Sequence, residues 1–164
     1  MLDQQFLKEL KEYIAEYPSH LHEANLKTVI FSQSLMPDES VLDDTLEHYI
    51  EKNRKPTFQE LLFQFIDQTG ETDATIYNRA SIDRKLFSKI RSNSHYHPRK
   101  NTVLALAFAL KLNQENTDEL LNAAGYSLSD SNTSDLIIQF CIEKKIYNIH
   151  DVNLALDHFH EKPL

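Results

Sequence analysis

Seven cationic side chains crowd residues 79–100: Arg79, Arg84, Lys85, Lys89, Arg91, Arg99 and Lys100, set against the single carboxylate of Asp83. Guanidinium and ammonium groups gathered this closely suit acceptor oxygens and nitrogens, above all phosphate oxygens and the O6 and N7 of guanine. Ser88 stands among them with a hydroxyl that both donates and accepts. Read as a helix, residues 83–93 put Leu86, Phe87 and Ile90 on one side and Arg84, Lys85, Ser88 and Lys89 largely on the other. Such a helix lies on a core and turns its cations outward.

Other candidate chemistry is weaker. Three His-x-His pairs occur, His20/His22, His95/His97 and His158/His160, but alternate residues do not share a helix face and no tetrahedral ligand spacing accompanies them. The one cysteine, Cys141, lies in an apolar run without a cationic neighbour on its face, which reads as a buried core thiol and not a nucleophile. Ser88 has no base at a telling spacing and no glycine-rich phosphate cradle. The residues give no sign of catalysis and call for no cofactor or metal.

The whole chain is acidic, with a net charge of −8 over 164 residues. Its charge is unevenly placed. Residues 1–56 carry 6 basic and 11 acidic side chains, residues 57–113 carry 8 and 5, and residues 114–164 carry 3 and 9. Salt screens surface charge over about 8–10 Å, so a phosphate near residues 79–100 responds mainly to the local excess of +6. The acidic flanks weaken non-specific association.

Those cations need elements to position them. Two glycines, five prolines and no run of alternating apolar residues indicate an all-helical chain. Residues 3–17 have a stripe of Phe6, Leu7, Leu10, Tyr13, Ile14 and Tyr17 that Pro18 ends. In residues 19–36, Thr28-Val29-Ile30-Phe31 suits a short strand, but the segment also traces a helical face and, with no partner strand, helix is favoured. Residues 36–40 read as a turn in which Asp38 or Ser40 caps a helix over 41–53. Arg54-Lys55-Pro56 then marks a boundary, giving an acidic accessory module over 1–56 and a second unit over 57–164. Thr57 and Glu60 have capping-box spacing ahead of the stripe Phe58, Leu61, Leu62, Phe65 and Ile66, and Gly70 stops that helix. Thr72 caps a short helix carrying Ile76 and Ala80. A break at Ala80-Ser81-Ile82 leads to the basic helix, with Asp83 as its cap. Past the breaker Pro98, the run from Asn101 to Leu112 predicts a helix buried on most sides. Asn116 or Thr117 caps a short helix that Gly125 terminates, and helices over 135–145 and from Asp151 follow. These last two either complete the core or form a dimer interface. The chain begins Met1-Leu2-Asp3-Gln4 and mixes charge with apolar residues at once, so no leader, membrane span or membrane partner is expected and the location read is cytoplasmic.

Here the residues resemble the lambda-repressor-like (Xre) helix-turn-helix family. Phe87-Ser88-Lys89-Ile90, the polar loop ending in Pro98, Thr102 to Leu112, Leu120-Leu121 and Ala123-Ala124-Gly125-Tyr126 carry the likeness, over residues 57–128. A looser resemblance is to bacterial proteins that join such a unit to a separate module. The sequence departs from the family pattern in having Ser81 at the usual turn glycine and Arg91-Ser92-Asn93 where Glu-x-Gly commonly ends the third helix. The resemblance implies a five-helix core with an N-terminal helical module and two extra C-terminal helices. It further implies a DNA-binding transcription regulator that acts as a homodimer on double-stranded DNA, its third helix (83–92) in the major groove. Arg79 is then a backbone contact. Arg84, Lys85, Ser88 and Lys89 become base-edge candidates, and Arg91, Arg99 and Lys100, with His95 and His97, phosphate candidates beside the following loop. No Asn or Gln lies on the outward face to bracket an adenine, so guanine-containing sites are expected. The alternative is a non-catalytic protein-interaction or antitoxin-like module on the same scaffold, with residues 1–56 available to a protein partner.

Overall fold

The computed structural model describes residues 39–164, with side-chain environments from Leu46 onward. The expectations for residues 3–17 and 19–36, and for His20 and His22, lie outside the described residues. Within them the structure holds eight helices and no strand. The chain's contacts divide it at Pro56, so the helix before that point is described by itself.

That helix, α1, spans Glu39–Asn53. It begins ahead of the expected start at Val41, which places Ser40 inside the first turn and not at the cap. Its stripe residues Leu46, Tyr49 and Ile50 are exposed, Tyr49 by 65%.

Residues from Pro56 onward form a body of seven helices: α2 (Phe58–Thr69), α3 (Asp73–Arg79), α4 (Arg84–Ser92), α5 (Lys100–Ala109), α6 (Gln114–Ala123), α7 (Thr133–Glu143) and α8 (Ile149–His158). Side-chain oxygens start six of them. Thr57, Thr72, Asp83, Asn113, Asn132 and Asn148 each accept from a backbone N–H in the first turn, satisfying donors that a helix start leaves over. At Thr57 the bond is reciprocal. Glu60 accepts from the Thr57 backbone N–H at 2.8 Å, and this bond holds its carboxyl below the ordinary value.

The helix ends are less expected. Ser81, Lys111, Lys145 and His160 adopt positive φ of 54–58°, as Gly125 does at 74°. In all five the next N–H returns to the carbonyl five residues back: Ile82 to Tyr77, Leu112 to Ala107, Tyr126 to Leu121, Ile146 to Cys141 and Glu161 to Leu156. These are Schellman closures, and in four of them the following residue, Ile82, Leu112, Tyr126 or Ile146, packs on the core. Burying that residue offsets the strain of a left-handed non-glycine. The closure at Lys111 is why the apolar run expected to stay helical to Leu112 ends at Ala109 and turns.

Helix α5 is the centre. Val103 to Ala109 are all buried, and the small Ala105, Ala107 and Ala109 let neighbours approach closely. It packs on α3, α6 and α8, while α6 also meets α2 and α7, and α7 meets α8. Ile137, Ile138, Phe140, Cys141, Val152, Ala155 and Leu156 join the same core as Leu62, Ile76 and Ile90. The two C-terminal helices therefore complete the core. Both start earlier than the sequence reading placed them, at Thr133 and Ile149, because Asn132 and Asn148 supply the caps.

Candidate nucleic-acid interface

Helix α4 reaches solvent by way of the Ser81 turn. Phe87 and Ile90 are buried and Leu86 packs partly against the core, so Arg84, Lys85, Ser88 and Lys89 emerge on the opposite side, all exposed. Asp83 accepts from the Lys85 N–H at 2.6 Å, which fixes where the helix starts. Its other end is held from α2, where the Gln59 amide donates to the carbonyls of Ile90 and Arg91. Phe87 is clamped between Phe63, edge-on at 6.1 Å, and Tyr77 at 5.6 Å. The outward row is thus mounted on a helix seated at both ends and from beneath.

The expected cations separate by partner. The side chains of Arg84, Lys85 and Arg99 have no hydrogen-bonding or ionic partner among the described residues, and neither has the Ser88 hydroxyl. Arg99 precedes α5, whose start has no side-chain cap. Lys89 leans its ammonium over the Tyr96 ring at 4.5 Å while staying exposed. Arg91 is engaged: its Nη2 donates to Asp73 Oδ1 at 2.7 Å, and its guanidinium lies 4.3 Å from the centre of the Phe63 ring.

Arg79 and Lys100 lie on the elements the sequence indicates, but each has a partner within the fold. Arg79 donates to the Ala109 carbonyl at 2.8 Å and to Glu71 at 3.0 Å, tying α3 to the end of α5. It is a brace within the fold. Lys100 is the first residue of α5, beside the preceding loop, and its ammonium meets both Asp135 oxygens at 2.7 and 2.6 Å. Asp135 is only 7% exposed and also accepts from the Ser129 N–H, so this pair locks α5 to α7. Lys100 turns to the shielded Asp135 carboxylate, whereas Arg79 is drawn in by the Ala109 carbonyl together with the exposed Glu71.

Between α3 and α4 lies a hollow of about 300 Å³ lined by Asp73, Ala74, Tyr77, Arg84, Phe87, Ser88 and Arg91. Asp73 is not among the residues singled out from the sequence. The signal was available: with a tight turn at Ser81, the start of α3 and the end of α4 come together, so residues 73 and 91 become neighbours.

His95 and His97 are exposed, and the His97 ring rests on Tyr126 at 5.2 Å. Among the described residues no three His, Cys, Asp or Glu side chains gather as a metal site requires. Cys141 is fully buried, and burial pushes its thiol up to about 12, with Asp151 adding to the shift. No helix among the described residues is long and apolar enough to cross a membrane. Comparison with protein-family models, with characterised proteins and with solved structures returned no match.

Proposed function

We propose that this chain is a cytoplasmic DNA-binding transcription regulator whose helices α2 to α6 act as a helix-turn-helix core, with α4 entering the major groove. The observation that carries the reading is the outward row of α4: Arg84, Lys85, Ser88 and Lys89 exposed on a helix whose Phe87 and Ile90 are buried. The left-handed Ser81 supports it, because the chain makes the tight turn between α3 and α4 although the usual glycine is missing. In this reading Arg84, Lys85, Ser88 and Lys89 face base edges and Arg99 faces phosphate. Arg79 and Lys100 support the helices and touch no DNA. A homodimer would set two α4 helices on half-sites about 34 Å apart.

A second reading has its own observation. Leu46, Tyr49 and Ile50 form an exposed apolar stripe on α1, which suits a protein partner. Salt separates the two, since phosphate binding releases counterions and an apolar contact does not. Fluorescence anisotropy of a mixed-sequence duplex and of a single strand, titrated with the full chain at several salt concentrations, is the test. A steep log–log salt slope on the duplex is expected. Absence of binding at low salt transfers the function to the protein-interaction reading, and preference for the single strand transfers it to another nucleic acid.

A further inference from the structure

One carboxylate stands inside the cationic face. Asp73 opens α3, Arg91 lies in the last turn of α4, and the two meet on the wall of the hollow that Arg84 and Ser88 also line. Both Asp73 oxygens lie 2.7 Å from Arg91 Nη2. We propose that Asp73 is a built-in counter-anion that holds Arg91 in reserve, and thereby sets the general, sequence-independent affinity of the α3–α4 face for duplex DNA. The inference rests on the DNA-binding reading above.

Three features of the pair make it exchangeable. Its side chains are 54% and 35% exposed, so water and dissolved ions reach both partners and the attraction is weak. A phosphate oxygen accepts from guanidinium in the same way as a carboxylate oxygen, so a docked backbone competes for the same donors. The Arg91 guanidinium also rests on the Phe63 ring, which keeps the charge on this face when the carboxylate is displaced. Arg79 differs on the last two points. Its guanidinium is anchored to the Ala109 carbonyl as well as to Glu71, so a phosphate cannot draw it away without stripping a helix-end acceptor.

The consequence for recognition follows from which contacts depend on sequence. Every duplex offers phosphates, so every duplex meets the same opposition from Asp73 when it approaches Arg91. A site whose base edges also satisfy Arg84, Lys85 and Ser88 meets that same opposition, so the cost cancels from its advantage over other duplex. Asp73 lowers affinity for all duplex and leaves the preference to the outward row of α4.

The test compares the full-length protein with Asp73→Asn, which keeps the side chain's shape and removes its charge. Both are titrated against a mixed-sequence duplex and against the duplex preferred in a selection experiment. Asp73→Asn is expected to tighten mixed-sequence binding about fivefold at low salt and to steepen the log–log salt slope by about one, the signature of one added phosphate contact. The preferred duplex should gain by the same factor, so the ratio between the two stays constant. In an Arg91→Gln background the same substitution should change neither affinity nor slope. If the parent binds duplex and Asp73→Asn matches it in affinity and slope, or if the gain persists without Arg91, the inference is overturned. If neither protein binds any duplex at low salt, the DNA reading itself fails and takes the inference with it.

Discussion

Two groups of cations share residues 79–100, and the fold treats them oppositely. Arg84, Lys85 and Arg99 face solvent without a described partner, while Arg79, Arg91 and Lys100 each find a carboxylate. Those carboxylates, Glu71, Asp73 and Asp135, all lie outside the basic stretch, the last of them 35 residues away from its lysine. A charge cluster in sequence is therefore not yet a charged surface. What decides is whether the tertiary fold brings an acid alongside.

The sharpest way to break this contrast is to remove the most buried acid. Asp135→Ala leaves the Lys100 ammonium, 27% exposed, and the Ser129 N–H without their acceptor, and should cost about 3 kcal/mol in urea unfolding. Arg84→Ala should stay within about 0.5 kcal/mol. If the two variants are equally mild, the division into inward and outward cations is wrong. Replacing the pair together, Lys100→Met with Asp135→Leu, should recover most of the loss, because no unpaired charge then remains.

Binding gives the complementary contrast. Arg84→Ala or Lys89→Ala should relax sequence preference by about 1–3 kcal/mol, measured as the affinity ratio between preferred and altered duplexes. Arg99→Ala should weaken all sequences alike and lower the salt slope by about one. Arg79→Ala should leave the preference unchanged. Equal effects at Arg84, Lys89 and Arg99 would erase the distinction between base-reading and positioning cations.

Lys111 is a cation placed by a helix end, since its φ of 54° closes α5. Lys111→Gly removes the clash of a left-handed side chain and should raise unfolding stability by about 1 kcal/mol. A loss would show that the charge of Lys111, which helps to lower the Glu71 carboxyl, matters more than its backbone.

The smallest effect is acid-dependent. The hydrogen bond from Arg79 holds the Glu71 carboxyl below its ordinary 4.5. A carboxyl lowered in the folded state contributes stability that is fully present above its unfolded value and is lost as pH falls through the folded one. The difference in melting temperature between the parent and Arg79→Ala should accordingly be constant above pH 4.5 and shrink below it. A difference that ignores pH would leave only the Ala109 carbonyl as the partner that matters.

Much of this architecture was legible along the chain, because the signals that set it are local. Thr57 with Glu60, Thr72, Asp83 and Gly70 act at the ends where sequence placed them, and the apolar stripes of α2, α4 and α5 are the buried faces. What escaped was whatever depends on a partner distant in sequence. Nothing near Lys100 announces Asp135, and nothing near Arg79 announces the carbonyl of Ala109. Helix stops were misjudged for a related reason. Lys111 and Lys145 carry no intrinsic preference for positive φ, and they adopt it because Leu112 and Ile146 gain burial one residue later.

Those repeated closures bear on how quickly the chain finds its shape. Each of the five joins residues only five apart, so every turn forms without waiting for a distant segment, at the low entropic cost of a short loop. The helices they end are short and many pack on near neighbours, which keeps the sequence separation of contacts small. Chains built in this way fold in roughly microseconds to milliseconds. The bond between Lys100 and Asp135 spans far more chain, and forming it late would make its loss speed unfolding while leaving the folding rate nearly unchanged.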